Sequence, residues 1–90
     1  MLAPSEAIDK ARIYLGEVVP EFAALKPRVE EMVLAPDSSA WKITFYAHKG
    51  EEKTDVTSLA DLLRWKRIEK VVSVAANDGT LIAVRNPAPF

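Results

Sequence analysis

Residues 28–47, RVEEMVLAPDSSAWKITFYA, and residues 68–85, IEKVVSVAANDGTLIAVR, decide the fold of this chain. Each reads as two β-segments joined by a turn. In the first, Arg28 to Leu34 alternates, with Val29 and Val33 on one side and Met32 and Leu34 on the other. Ala35-Pro36-Asp37-Ser38-Ser39 supplies the turn, because proline presets φ and Asp or Ser bonds the backbone just beyond itself. Ala40 to Ala47 places Trp41, Ile43, Phe45 and Ala47 on one face and Lys42, Thr44, Tyr46 and, beyond its end, His48 on the other. In the second stretch, valine-rich Ile68 to Ala75 turns through Asn77-Asp78-Gly79 into Thr80 to Arg85, with Gly79 free to take the positive φ such turns need.

Ahead of the hairpins, Ala7, Ile8, Ala11, Leu15, Val18, Val19 and Phe22 share one helical face, while Glu6, Asp9, Lys10 and Glu17 share the other. Ser5 is the expected N-cap, and Pro20 should end or kink the helix. Ile13 falls among the charged residues, either as an isolated exposed apolar residue or as a point of contact with a partner. Between the hairpins, Lys49 to Asp55 is a polar loop. Leu59, Leu62, Leu63 and Lys66 then recur at helical spacing behind Ser58 and Asp61, so a short second helix is expected. Asn86-Pro87-Ala88-Pro89-Phe90 should form a loose tail, since two prolines remove backbone donors. The expected fold is therefore α+β: one domain over residues 1–90, with an N-terminal helix on a four-stranded antiparallel sheet made of two hairpins and a short second helix between them.

Composition limits function more than it assigns it. With 90 residues, 49% hydrophobic and 28% charged, the chain suits one globular domain and excludes disordered or collagen-like classes. Twelve basic and thirteen acidic residues leave a formal charge of −1, so no global field favours nucleic acid or an anionic membrane. Cysteine is absent, which removes disulfides, thiolate catalysis and cysteine-bound metals. Met1-Leu2-Ala3-Pro4-Ser5-Glu6 resembles neither a secretory signal nor a membrane span, so a cytoplasmic location is the default expectation.

The order helix, hairpin, loop, hairpin resembles the PepSY-like small bacterial domains. The similarity rests on Glu30-Glu31-Met32 leading to Trp41-Lys42-Ile43-Thr44-Phe45, and on Lys70-Val71-Val72-Ser73-Val74 leading to Gly79-Thr80-Leu81. The resemblance implies a helix laid on an antiparallel sheet and an inhibitory or regulatory role exercised by binding. Ala75 and Ala76 depart from it, standing where that family often has an acidic residue before its turn. Cystatin-like domains offer a second helix-on-sheet analogy.

No catalytic or cofactor motif can be assembled. His48 is the only histidine, too little to identify an acid–base trio. The carboxylates Glu30, Glu31, Glu51, Glu52, Asp55 and Asp61 match neither a two-histidine nor a calcium-loop pattern. Glu30 and Glu31, adjacent on a strand, should point to opposite faces. No metal or cofactor is therefore expected. Arg64-Trp65-Lys66-Arg67 joins basic groups to an aromatic, which could grip phosphate and stack a base but also suits a helix end, where cations complement the dipole.

The leading expectation is a non-enzymatic protein-binding or regulatory domain whose partner is another protein or a second copy of itself. It would act through a sheet edge or an exposed apolar patch. One alternative is a nucleic-acid module using Arg64, Lys66 and Arg67. The other is a small enzyme or enzyme subunit with a pocket between helix and sheet lined by Tyr14, Tyr46 or His48. The candidate protein contact is Tyr46, Thr44 and Lys42 on the outer sheet face, with Ile13 on the helix. Either side of the neighbouring strands leaves apolar residues outside, so that face needs some cover.

Overall fold

The computed structural model describes residues 1–49 and 66–87. Helix α1 spans Pro4–Val18, α2 Pro20–Ala23, and the strands are β1 Arg28–Leu34, β2 Ala40–Lys49, β3 Lys66–Ala75 and β4 Leu81–Arg85. The strands form one antiparallel sheet in the order β1-β2-β3-β4. An α+β fold with an N-terminal helix over a four-stranded antiparallel sheet is thus the architecture. The expected helix over Leu59–Trp65 lies outside the described residues, and the short helix seen is α2, ahead of the sheet.

Helix α1 starts two residues earlier than its serine suggested. Ala3 is the N-cap, Pro4 opens the helix, and Ser5 lies inside the first turn. A missing N–H costs nothing at the first helical position, and the Glu6 carboxylate accepts the Ala3 N–H at 3.3 Å. At the far end Pro20 breaks the helix as its chemistry demands: Val19 turns out to φ −133°, and the chain resumes as α2. This break corrects the expected apolar face. The buried stripe is Ala7, Ala11, Leu15 and then Phe22, whereas Val18, at the end of the last regular turn, is 53% exposed.

Ala7 and Ala11 are fully buried, and such short side chains let the helix approach the sheet closely. They join Leu15 and Phe22 in one core with Ile43, Phe45 and Ala47 of β2 and Val72 and Val74 of β3. Trp41 packs at the margin of this core, and its indole Nε1, buried, has no hydrogen-bond partner.

Two irregularities settle which residues face inward. In β1 the register slips between Val29 and Glu31, so Val29 pairs with Phe45 while Met32 and Leu34 pair with Ile43 and Trp41. Val29 therefore joins Met32 and Leu34 on the helix side, contrary to simple alternation, because Glu30 is an extra residue in a bulge. Val33 alone of the four stays outside, 45% exposed. In β4 the slip between Ser73 and Val74 makes Ile82 the extra residue and leaves it 57% exposed, while Leu81 and Val84 keep to the core.

The β2–β3 ladder is continuous from Ala40↔Ala75 to Lys49↔Lys66, longer than the alternating pattern implied. Lys66 and Arg67 therefore begin a strand rather than end a helix. At the other end of the sheet, the turns are stitched together. Ala76 donates its N–H to the Ser39 carbonyl at 2.9 Å, and Leu2 donates to the Ala76 carbonyl at 2.6 Å. Gly79 takes φ 78°, and a Cβ there would lie 2.8 Å from Leu2 Cδ1, so any side chain meets both strain and a clash. In the expected loose tail, Asn86 accepts a hydrogen bond from Lys70 Nζ, and residues 88–90 lie outside the described residues.

Both turns carry an aspartate that holds the backbone. Asp37 accepts from the Ser39 hydroxyl at 2.6 Å and the Ser39 N–H at 3.0 Å, and Asp78 accepts from the Thr80 N–H at 2.9 Å. These bonds favour the ionised form, so both carboxyls sit below their ordinary 3.8: Asp37 chiefly through the Ser39 hydroxyl, Asp78 chiefly through the Thr80 N–H.

Leu15→Asp is expected to destabilise the domain by about 3 kcal/mol or more, since it places an unpaired charge at a site only 1% exposed. Urea unfolding measures it, and an unchanged midpoint in a folded variant contradicts the packing described. A carboxyl with a lowered folded pKa contributes stability that is full above the unfolded value and is lost as pH falls through the folded one. The melting-temperature advantage of the wild type over Asp78→Ala should therefore be constant above 3.8 and shrink below it, as thermal scans at stepped pH will read.

Candidate protein-binding face

The face of the sheet turned away from α1 is built by the registers just described. Lys42 lies opposite Ser73, Thr44 opposite Val71, Tyr46 opposite Glu69 and His48 opposite Arg67, with Arg28, Glu31 and Val33 of β1 and Ala83 and Arg85 of β4 flanking them. The structure thus brings Lys42, Thr44 and Tyr46 into one row, as their alternation demanded. It leaves Ile13 elsewhere: that residue is 59% exposed on α1, in the layer that covers the opposite sheet face.

At one end of this face a charged cluster lies over an aromatic ring. The Arg67 guanidinium sits 4.5 Å from the Tyr46 ring centroid, donates through Nε to Glu69 Oε1 at 2.8 Å and through Nη2 to Glu30 Oε1. The hydrogen bonds Arg67 donates to the two carboxylates, Glu30 foremost, raise the arginine's pKa above its usual value. The Glu30 bulge makes this possible, because the extra residue lets Glu30 reach the same face as Glu31 instead of the opposite one. The His48 ring meets Tyr46 edge-on, 6.0 Å between centroids at 85°.

Toward the other end the face opens into a shallow depression of about 810 Å³. Its floor is Val71, Ser73 and Ala83, its walls the Pro36-Asp37 turn, Lys42, Ile82 and Arg85. The mixture of exposed isoleucine, valine and alanine with lysine and arginine resembles a protein interface more than a substrate cleft.

The rival sites fare differently. Tyr14 packs against the core beneath α1, while Tyr46 and His48 lie on the opposite side of the sheet, so no pocket between helix and sheet gathers the three. A separate depression of about 420 Å³ does touch Tyr46 and His48, beside Leu25, Lys26, Arg28 and Ala47. For the basic cluster, Arg64 lies outside the described residues, Lys66 begins β3, and Arg67 is engaged by two carboxylates. No group of three or more His, Cys, Asp or Glu side chains among the described residues is placed to hold a metal ion. Nor is any described helix long and apolar enough to cross a membrane.

Sequence reasoning missed the Glu30–Arg67 pair, because its partners lie on β1 and β3 and meet only across β2. It also missed a cationic group at the α1–β1 junction, where Arg12, Lys26 and Arg28, scattered in sequence, line one depression. No family model matches this chain, and neither a curated protein nor a solved structure matches it.

The ion pairs on this face are solvent-exposed, so they fix geometry rather than stability. Arg67→Gln is expected to leave the melting temperature nearly unchanged. A double-mutant cycle with Glu30→Gln should show a coupling that vanishes near 1 M salt, where the screening length is about 3 Å. A coupling that persists at that ionic strength would contradict an exposed pair.

Proposed function

We propose that this domain is a non-enzymatic binding module whose contact surface is the outer sheet face, with Tyr46 and the Thr44–Lys42 row as its centre. The observation that carries it is the asymmetry of the two sheet faces. One face is sealed by α1, α2 and their buried stripe, while the other presents Val33, Tyr46, Val71 and Ile82 among charged residues. Edge pairing is the weaker route, since both edge strands carry bulges, at Glu30 and Ile82, that interrupt the regular row of backbone groups another strand would need. Recognition through side chains of the face follows, with Arg67 over the Tyr46 ring and paired to two carboxylates as a polar element at one end.

The partner in this proposal is another protein or a second copy of the chain. The resemblance to PepSY-like domains points the same way, toward regulation by binding, and a helix laid over an antiparallel sheet is compatible with it. A cytoplasmic setting is part of the proposal, and a chain without cysteine fits it.

The experiment compares wild type, Tyr46→Glu and, as a control on the helical layer, Ile13→Glu. Sedimentation measures self-association, and affinity capture from the native host measures partner retention. Tyr46→Glu is expected to keep its melting temperature and lose the association, by at least about tenfold in affinity for a central aromatic residue. Ile13→Glu should change neither. A folded Tyr46→Glu protein that self-associates as before and retains the same captured partners removes the proposal.

A further inference from the structure

The junction of α1, α2 and β1 holds a depression of about 460 Å³ lined by Arg12, Leu15, Ala23, Lys26, Pro27 and Arg28. Its volume is in the range of small-ligand sites. Among the described residues that line it, three are cations and none is acidic, in a chain whose formal net charge is −1. Among the described residues, none of these three cations forms an ion pair, whereas Arg67 on the outer face is matched by two carboxylates. Like charges gathered without counterions repel one another, and an anion placed among them relieves that repulsion.

Two further features shape the site. Arg12 is pre-positioned: its Nη1 donates to the Pro27 carbonyl at 2.7 Å and its guanidinium carbon lies 5.3 Å from the Phe45 ring centroid. That bond uses one of the five guanidinium donors and leaves the others available. Lys26 holds a left-handed backbone conformation, φ 54°, as it closes the turn after α2. Glycine is the residue favoured at such a position, so a lysine there carries a conformational cost. The remaining walls, Leu15, Ala23 and Pro27, are apolar.

We infer that this depression binds a small organic anion, its phosphate or carboxylate head on Arg12, Lys26 and Arg28 and its apolar body against Leu15, Ala23 and Pro27. The site borders the outer face, since Arg28 pairs with Tyr46 and both Lys26 and Arg28 also line the depression beside Tyr46, but anion binding and protein binding are read by different measurements. Arginine and lysine together suit an oxyanion, arginine by its planar fork and lysine as a point charge.

The test titrates the intact chain with phenyl phosphate, benzoate, inorganic phosphate and phenol, following backbone amide and arginine side-chain resonances. Saturable shifts confined to residues around Arg12 and the 23–28 turn are expected. Phenyl phosphate or benzoate should bind at least about tenfold tighter than inorganic phosphate or phenol, and the tighter of the two names the head group. Lys26→Gly separates binding from folding: relief of the left-handed strain should raise the melting temperature by about 2–6 °C. The same variant should weaken the organic anion about tenfold. Absence of saturation, shifts spread over all surface cations, inorganic phosphate binding as tightly as phenyl phosphate, or unchanged affinity in folded Lys26→Gly each overturns the inference.

Discussion

The seating of α1 on the sheet is the contact on which the rest of the domain depends. Ala7 and Ala11 leave room for the helix to lie close over β2 and β3, and Leu15 and Phe22 share one core with Phe45, Ile43, Val72 and Val74. A core of this size leaves little margin, since a small domain buries a smaller share of its surface than a large one. Close seating also constrains the far end of the molecule. Gly79, in the β3–β4 turn, lies against the Leu2 and Lys10 side chains, and its φ of 78° favours glycine there. The Leu2–Ala76–Ser39 chain of backbone bonds ties the N-terminus to both turns at this end.

The two bulges distribute the residues between the faces of this sheet. Without the extra residue at Glu30, β1 could not turn Val29 to the helix side together with Met32 and Leu34, and Val29 would join Val33 on the outer face. The same slip brings Glu30 to Arg67, and so builds a polar cluster on the outer face from three strands. At the opposite edge Ile82 is displaced outward while Leu81 and Val84 stay inside. Core packing and outer-face composition are thus consequences of the same local insertions. The bulges also spoil both sheet edges as templates for another strand, which shifts recognition from backbone to side chains.

Charge is arranged unevenly on a molecule that is nearly neutral. On the outer face, Arg67 is paired with Glu30 and Glu69 and lies over the Tyr46 ring. At the α1–β1 junction, Arg12, Lys26 and Arg28 are gathered beside an apolar wall, with no carboxylate among the described lining residues. The contrast arises from connectivity: α2 and its left-handed turn return the chain beneath Arg12 before β1 begins, and this places residues 12, 26 and 28 together.

Local chemistry by itself determined much of this protein. Alternation in Ala40 to Ala47 assigned Trp41, Ile43, Phe45 and Ala47 to the core and the Lys42, Thr44, Tyr46 row to the outside. Pro20 marked the end of α1, and Gly79 and Asp37 marked the turns. These signals are legible because each depends on a period or on one residue's own backbone preference. Tertiary structure decided what depends on pairing between distant segments. The Glu30 bulge overturned simple parity in β1 because burying Val29 beside Phe45 outweighs an unbroken ladder, and no local pattern announces that competition. The continuation of β3 back to Lys66 came from its hydrogen-bonded partner β2, not from hydrophobicity. Arg67 on Tyr46, and Arg12 with Lys26 and Arg28, exist only after the chain has folded, since the residues of each group are brought together by strands and turns far apart in sequence.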